Sequence, residues 1–218
     1  MLLFFIVNSQ PLYNKKIRIV IKSDDVSWDE IAHLLHNSFE ERKQQGLNFT
    51  CSSVTADMLE RQNANSIVFV ALLQNELIGT VSMKIMQFKS YQYAYHYNLA
   101  VAPDYKGKGI ADMLFNKFIE NAINNECSFI KSDTAERAYS SVSWHKKNGF
   151  CPITIRSYGS TNYYSILFRK QLKYHWFWSN QWLCKVYFAL SSFAYKRIKN
   201  EKGDYIGIGR VIKLFHTS

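Results

Sequence analysis

The stretch from Asn98 to Ala122, NLAVAPDYKGKGIADMLFNKFIENA, decides how this chain folds. It opens with the apolar run Leu99-Ala100-Val101, which is typical of a buried strand end, and Pro103-Asp104 predicts a turn after it. A loop with two glycines and two lysines follows over residues 106–111. Apolar residues then recur at helical spacing, at Ile110, Leu114, Phe118 and Ile119. The stretch therefore predicts a strand, a loop and an amphipathic helix in direct succession.

The glycine-spaced loop is a candidate anion site. Glycine lets backbone N–H groups converge, and a helix N-terminus carries unpaired N–H groups and about half a positive charge. The residues concerned are Lys106, Gly107, Lys108, Gly109, Ile110 and Ala111. Their spacing fits neither a P-loop nor the three-glycine dinucleotide motif. From these residues alone, a phosphate or pyrophosphate site and a tight surface turn with solvated lysines both stay open.

The same stretch resembles the acetyl-CoA signature of the GCN5-related N-acetyltransferase (GNAT) family. That signature has a strand ending in an apolar pair and Val-x-Pro, then Arg or Gln, two further residues, Gly, any residue, and Gly or Ala. Leu99 to Pro103 and Lys106 to Ala111 match it, except that Lys106 stands where the family usually has Arg or Gln. The resemblance implies acetyl-CoA as cosubstrate and no metal. It also implies that the backbone of Leu99, Ala100 and Val101 receives the pantetheine arm, while the loop N–H groups hold the pyrophosphate.

The order of predicted elements fits the same family. It reads β-α-α-β-β-β-α-β-α-β-β and matches the family fold over about Lys16 to Leu172. We therefore predict an α/β fold with a GNAT-like, mostly antiparallel, splayed sheet flanked by helices. Residues 1–172 would form the acetyltransferase domain. Residues 173–218 would form a C-terminal extension, an amphipathic helix plus a strand over Tyr205 to Leu214, packed on the domain or on a partner.

Local signals set the expected ends of two helices. Thr55 predicts the start of a second helix, in which Met58 and Leu59 are expected to be buried. Asp133-Thr134 predicts the start of the helix that covers residues 135–148, so the strand before it would end at Lys131.

Candidate catalytic residues also come from the resemblance. A Tyr five residues before the Phe of a closing Gly-Phe pair often protonates the leaving thiolate in this family. Here that pair is Gly149-Phe150, and the matching position holds His145, whose ring titrates near neutral pH. Tyr139, near the start of the same helix, is an alternative donor. Tyr97 lies where several members carry a Glu base, so the base is left open among its strand neighbours and a water molecule.

Two functions follow from these features. The first is an acetyl-CoA-dependent N-acetyltransferase that acts on the amine of a small molecule or a peptide. The second is a catalytically weak acyl-CoA-binding module that its tail docks to a membrane or a complex, because the usual Tyr and Glu are absent. By the resemblance, the connector from Leu47 to Thr50 would form part of the acceptor wall. The sequence does not fix which amine is used.

The net charge of +10 is concentrated in the tail. From Arg169 on there are ten basic and two acidic residues, so the preceding part is nearly neutral. Apolar and aromatic residues recur at helical spacing between Trp176 and Ile198, which predicts an amphipathic helix. It could pack on its own domain, on a second copy in a homodimer, or on an anionic membrane surface. Nucleic-acid binding is disfavoured, because these aromatic residues follow a helix-core period rather than forming an exposed stacking platform.

The four cysteines indicate a reducing compartment. None of Cys51, Cys127, Cys151 and Cys184 has a Cys-x-x-Cys partner, and no exporting signal is recognised, so we expect a cytoplasmic protein. The first residues, Met1 to Val7, form an apolar run that is too short to span a bilayer. We interpret it as a surface-packed strand or helix turn, with membrane contact or a misplaced start site as alternatives.

Overall fold

A computed structural model describes residues 17–88, 90–159 and 161–198, with side chains up to residue 193. Seven strands form one sheet: β1 (Ile17–Ile21), β2 (Ile67–Leu73), β3 (Glu76–Phe88), β4 (Tyr91–Val101), β5 (Phe129–Ala135), β6 (Cys151–Arg156) and β7 (Ser165–Gln171). Five helices flank it: α1 (Trp28–Gln44), α2 (Ala56–Asn63), α3 (Ile110–Asn124), α4 (Tyr139–Lys147) and α5 (Gln181–Ile198). The predicted order of elements and the mixed, mostly antiparallel sheet are confirmed.

The sheet is splayed at its centre, between β4 and β5. Its strand order is β1-β2-β3-β4-β5-β7-β6, and β4 and β5 run parallel to each other. They pair over three positions, Tyr93 to Tyr95 against Phe129 to Lys131. Both strands continue past this point, but each then pairs with its other neighbour alone. The outcome is a gap between the C-terminal halves of β4 and β5.

A bulge in β4 borders this gap. Thr80 of β3 opposes Ala100, but Ser82 opposes Tyr97, so two β4 residues, Asn98 and Leu99, face a single β3 residue. Asn98 adopts the left-handed conformation with φ of 53°. Such a bulge bends the strand and redirects its peptide groups. It therefore helps β4 to leave β5.

Helices cover both faces of the sheet. On one face α3 buries Leu114, Phe115 and Phe118 in a cluster that includes Phe69 of β2. On the other face α1 and α2 pack on β2 through an apolar cluster that contains Ile31, Leu35, Leu59, Val68 and Val70. Gly79 of β3 lets α3 approach, because a Cβ there would lie 3.0 Å from Leu114 Cδ1 and 3.2 Å from the carbonyl oxygen of Ala100.

Two local predictions were wrong. β5 does not end at Lys131, and Asp133-Thr134 does not start a helix: the strand continues to Ala135, and α4 begins at Tyr139. The cause is β7, which pairs with β5 along its whole length, so the hydrogen bonds of the ladder outweigh the capping preference of Asp and Thr. In α2 Leu59 is buried as expected, but Met58 is 55% exposed.

The start of the C-terminal extension packs on the edge of the sheet. α5 buries Cys184 against β6, and Ser191 Oγ donates a hydrogen bond of 2.8 Å to the carbonyl of Ile153. None of the helices in the described part of the chain is long and apolar enough to cross a membrane. The predictions for residues 1–7 and 205–214 lie outside the described residues.

Candidate active site

A cleft of about 1000 Å³ lies where β4 and β5 separate. Its walls come from β4, β5, the start of α3, the C-terminal half of α1, the start of α4 and the β6–β7 loop. The central gap and the N-terminus of α3 thus open into one space.

The N-terminus of α3 is free to bind an anion. Gly109 is the N-cap residue, with φ of 81°, and no side chain caps the helix. Gly107 is also left-handed, with φ of 76°. A helix start without a side-chain cap leaves its first N–H groups unpaired. The loop from Gly107 to Ala111 therefore presents backbone donors to the cleft.

The two loop lysines do not lie at this helix start. Lys106 Nζ is 3.3 Å from the carbonyl oxygen of Ser38 and 3.5 Å from a carboxylate oxygen of Glu41, both in α1. Lys108 Nζ lies over the ring of Tyr105, 5.2 Å from its centroid. The backbone is therefore the candidate anion-binding element of the loop.

The free edge of β4 fits an extended ligand. The N–H of Ala102 donates to the carbonyl of Ile78 in β3. Since peptide groups alternate sides along a strand, that of Val101 points away from β3, and its carbonyl accepts a hydrogen bond of 2.9 Å from Ser38 Oγ in α1. Ala100 pairs with Thr80 and is 5% exposed. An extended pantetheine beside β4 and a diphosphate at α3 both fit the residues present.

His145 lies in a buried polar chain beneath the cleft. Its Nδ1 donates a 2.7 Å hydrogen bond to the carbonyl of Ser141, and its Nε2 lies 2.9 Å from Ser132 Oγ. The same hydroxyl is 3.0 Å from Nδ1 of His96, whose Nε2 is buried without a partner. Because a carbonyl only accepts, Nδ1 of His145 carries the proton, so Nε2 accepts from Ser132 and Ser132 accepts from His96.

The imidazole rings of His145 and His96, the two histidines of this hydrogen-bonded series, are both neutral at pH 7. Burial lowers the pKa of His145 to about 4. Burial, together with the charge of His145, lowers the pKa of His96 to about 3. The ring of His145 is 3% exposed and stacks on Phe168 with 4.5 Å between ring centroids. The ring of His145 therefore lies in the protein interior and does not face solvent.

The other two sequence-predicted catalytic residues lie farther from the chain of imidazoles. The hydroxyl of Tyr97 is bound to Asn63 Oδ1 at 2.9 Å and to Ser66 Oγ at 2.8 Å, so it points toward α2 and β2. Tyr139, the first residue of α4, is 75% exposed at the rim of the cleft. The structure therefore does not bring Tyr97, Tyr139 and His145 together.

A carboxylate that the sequence did not single out lies in the gap. Asp133 of β5 lines the cleft and accepts hydrogen bonds from the hydroxyls of Tyr95 and Ser165. Burial raises the pKa of Asp133 above its ordinary value. Burial and the neighbouring carboxylate also raise the pKa of Tyr95, so its hydroxyl keeps its proton. Sequence reasoning missed Asp133 as a site residue because it placed Asp133 at a helix start.

The loop after α1 and the loop between β6 and β7 meet beside the cleft. The backbone N–H of Asn48 donates to Asn162 Oδ1 at 3.2 Å, and the N–H of Asn162 donates to Asn48 Oδ1 at 2.7 Å. Phe49 and Thr50 line the cleft, whereas Leu47 is buried in a small cluster with Ala135 and Ala138. The predicted acceptor wall thus contributes two of its four residues to the surface of the cleft.

Arg42 is a second residue that sequence reasoning missed. It lies near the end of α1, and its guanidinium lies 4.7 Å from the ring centroid of Phe39 and 5.3 Å from that of Phe49. The sequence did not indicate a role for Arg42, because an Arg in the last turn of an amphipathic helix usually faces solvent. Within the described ranges, no group of three or more His, Cys, Asp or Glu side chains could hold a metal ion.

The splayed sheet, the uncapped helix and the polar gap define a class, an acyltransferase that uses an acyl-CoA donor. The family model for the acetyltransferase (GNAT) family matches residues 28–150, more than half of the chain. The chain therefore belongs to the GNAT family and is an acyltransferase with acetyl-CoA as cosubstrate.

Solved structures of GNAT proteins share this fold. A GNAT acetyltransferase from Elizabethkingia anophelis with acetyl-CoA bound is 18% identical, covers 72% of this chain and 98% of its own, and has a TM-score of 0.55. The PaiA N-acetyltransferase of Thermoplasma acidophilum in complex with coenzyme A is 17% identical, with coverages of 72% and 99% and a TM-score of 0.56.

A third structural neighbour is an enzyme whose name states its acceptor. The ribosomal-protein-S18-alanine N-acetyltransferase of Escherichia coli is 15% identical, covers 73% of this chain and 96% of its own, and has a TM-score of 0.55. At these sequence identities, the likeness to the three structures shows a shared fold and nothing about the acceptor. A search of curated proteins finds no match.

Proposed function

We propose that this acetyltransferase acts on an amine, of a small molecule or a peptide, by direct attack on the thioester. The observation that carries the proposal is Asp133, a carboxylate with a raised pKa at the gap between β4 and β5. An alkyl ammonium has a pKa of about 10 and must lose a proton before it can attack. A carboxylate whose pKa is raised is a stronger base than an ordinary Asp.

Tyr95 keeps this base in position. Its hydroxyl donates to one oxygen of Asp133, which leaves lone pairs of the carboxylate for the amine of the acceptor. We therefore assign Asp133 as the general base and Tyr95 as its positioning residue. Neither Tyr97 nor Tyr139 has a comparable partner at the gap, so we give them no proton-transfer role.

The bound cosubstrate supplies the activated acetyl group and a thiolate leaving group. The amine nitrogen bonds to the acetyl carbon, the carbon–sulfur bond breaks, and the amine proton passes to Asp133. Backbone N–H groups of the bulged β4 edge can donate to the oxygen that becomes negative. His145 remains our predicted donor to the sulfur, through its Nδ1 proton; the ring then regains a proton from solvent, to which Asp133 releases the one that it took from the amine.

Two measurements test the proposal. Calorimetry with acetyl-CoA and CoA should show binding, and a thiol-release assay over amino acids, polyamines, amino sugars and peptides should show turnover that needs an amine. Thiol release with alcohols but not with amines would refute amine transfer. Binding of both ligands with no release on any acceptor would instead favour the weak acyl-CoA-binding module. That reading has some support, because both nitrogens of His145 are already engaged.

A further inference from the structure

Arg42 is a cation in the wall of the cleft that lacks an anionic partner. Its side chain is half-buried between the aromatic rings of Phe39 and Phe49. Among the described residues no carboxylate oxygen lies within 4 Å of its guanidinium, and no hydrogen bond from it is found. Loss of solvent lowers its pKa, which shows that the charge is held at a cost.

The other cations that line the described cleft are engaged. Lys147 Nζ is 2.8 Å from a carboxylate oxygen of Asp112. Lys106 contacts Glu41 and the Ser38 carbonyl, and Arg137 Nη2 donates to the carbonyl of Asn162 at 3.1 Å. Among these cations of the described cleft, Arg42 is thus the one without a hydrogen-bond or carboxylate partner. A guanidinium has five donors in a planar fork that matches a carboxylate in two-point geometry.

Arg42 borders the acceptor half of the cleft. The ring of Phe49 that it contacts also packs on Tyr163, with 4.9 Å between ring centroids. Arg42, Tyr163 and Asp133 all line this cleft. The cation and the proposed base therefore face the same cavity. An acceptor that offered an amine to one and an anion to the other would satisfy both.

We propose that the acceptor is an amine that also carries a carboxylate, such as an amino acid, and that Arg42 binds this carboxylate. The aromatic rings beside Arg42 exclude water, so a carboxylate there gains more than it would in solvent. A purely cationic acceptor, such as a polyamine, would instead meet an unpaired positive charge. This inference rests on amine transfer as proposed above, and it adds the substrate class.

The test compares matched acceptors with and without the anion. Each amino acid in a panel is assayed beside its amide, which keeps the amine and removes the charge. We expect kcat/KM to be at least about tenfold higher for the free carboxylate, the usual size of a charge-assisted hydrogen bond. In Arg42→Gln this preference should fall to about one, mainly through a higher KM, whereas Arg42→Lys should keep part of it.

Lys43→Gln is the matched control, because it removes the same charge one residue away at an exposed position. It should leave the preference unchanged. The inference is overturned if amides or polyamines are turned over as well as amino acids, or if Arg42→Gln keeps the wild-type preference. It is also overturned if Arg42→Gln weakens CoA binding and leaves the acceptor preference intact. Absence of turnover with every amine would refute the proposed function instead.

If Arg42→Gln does not fold, a binding measurement on the wild-type protein tests the inference instead. With CoA present, an N-acetylated amino acid and its amide are titrated calorimetrically. A preference of at least about tenfold for the carboxylate supports the inference, and equal affinity overturns it.

Discussion

Asp133 shows how strand geometry places a single side chain. Successive residues of a strand point to opposite faces, so the side chains of Ser132 and Thr134, which are buried, point away from that of Asp133, which is only half-buried. Tyr95 of β4 lies on the same face as Asp133, and His96 lies on the same face as Ser132. The base proposed for the amine and the donor proposed for the sulfur thus lie on opposite faces of the sheet, at the central gap.

Replacement of Asp133 tests the base. Asp133→Asn should lower kcat/KM by about 10²- to 10⁴-fold, because the amide cannot take a proton. The wild-type rate should rise with pH through a pKa above the ordinary Asp value of 3.8, because Asp133 must be ionised to act. That limb of the pH profile should be missing in the variant. The control is Asp57→Asn, an exposed position in α2. An unchanged profile in Asp133→Asn would remove Asp133 from the mechanism.

His145 is tested through its effect on turnover alone. His145→Phe keeps an aromatic ring against Phe168 and removes both ring nitrogens. We expect kcat to fall by about tenfold or more, while the Kd for CoA changes less than twofold. The exposed neighbour Lys146, changed to Gln, serves as the control. Wild-type kcat in His145→Phe would show that Ser132 or water protonates the sulfur.

At the scale of elements, we expect the junction between the loop and α3 to bind the phosphates of the cosubstrate. Gly109 has a left-handed backbone, and a Cβ there would meet no protein atom within 4 Å. A side chain would therefore point into open space at the helix start, where the ligand phosphates are expected. Any substitution also strains the backbone by about 1–2 kcal/mol.

We expect Gly109→Val to weaken CoA binding by at least about 100-fold, as measured by calorimetry, because it removes the approach of a phosphate to the N–H groups. Gly46→Val is the control: Gly46 has a φ of 77° and equally open space, but it follows α1. It should lose similar stability and keep its affinity for CoA. Normal affinity in Gly109→Val would argue against the loop as the phosphate site.

The elements that the sequence predicted well are those with a strong local period. α3 is the example, because its apolar residues recur at helical spacing directly after two glycines. β5 was misjudged because Ser132, Asp133 and Thr134 break its apolar run, and only its pairing with β7 keeps them in a strand. Asp133 and Arg42 were missed for a related reason, because their roles depend on residues that are distant in sequence.

At the scale of the whole molecule, the start of the extension is tied to the acetyltransferase fold. The guanidinium of Arg169 in β7 lies 3.7 Å from the ring centroid of Phe129 and 4.7 Å from that of Trp178. α5 then covers β6, the edge strand, and buries Cys151 together with its own Cys184. The opposite side of α5 exposes Trp182, Leu190 and Phe193.

Removal of α5 tests whether the fold depends on this contact. A chain that ends at Ser179 should unfold at a temperature about 5 °C or more below a chain that ends at Ile198, because burial of β6 is lost. The chain ending at Ile198 is the matched control, since both lack residues 199–218. A thiol reagent should label Cys151 rapidly in the shorter chain alone, and Cys151→Ser should abolish that labelling. Equal melting temperatures and equal labelling would show that the domain folds without α5, which would leave the helix free to bind a partner or a membrane.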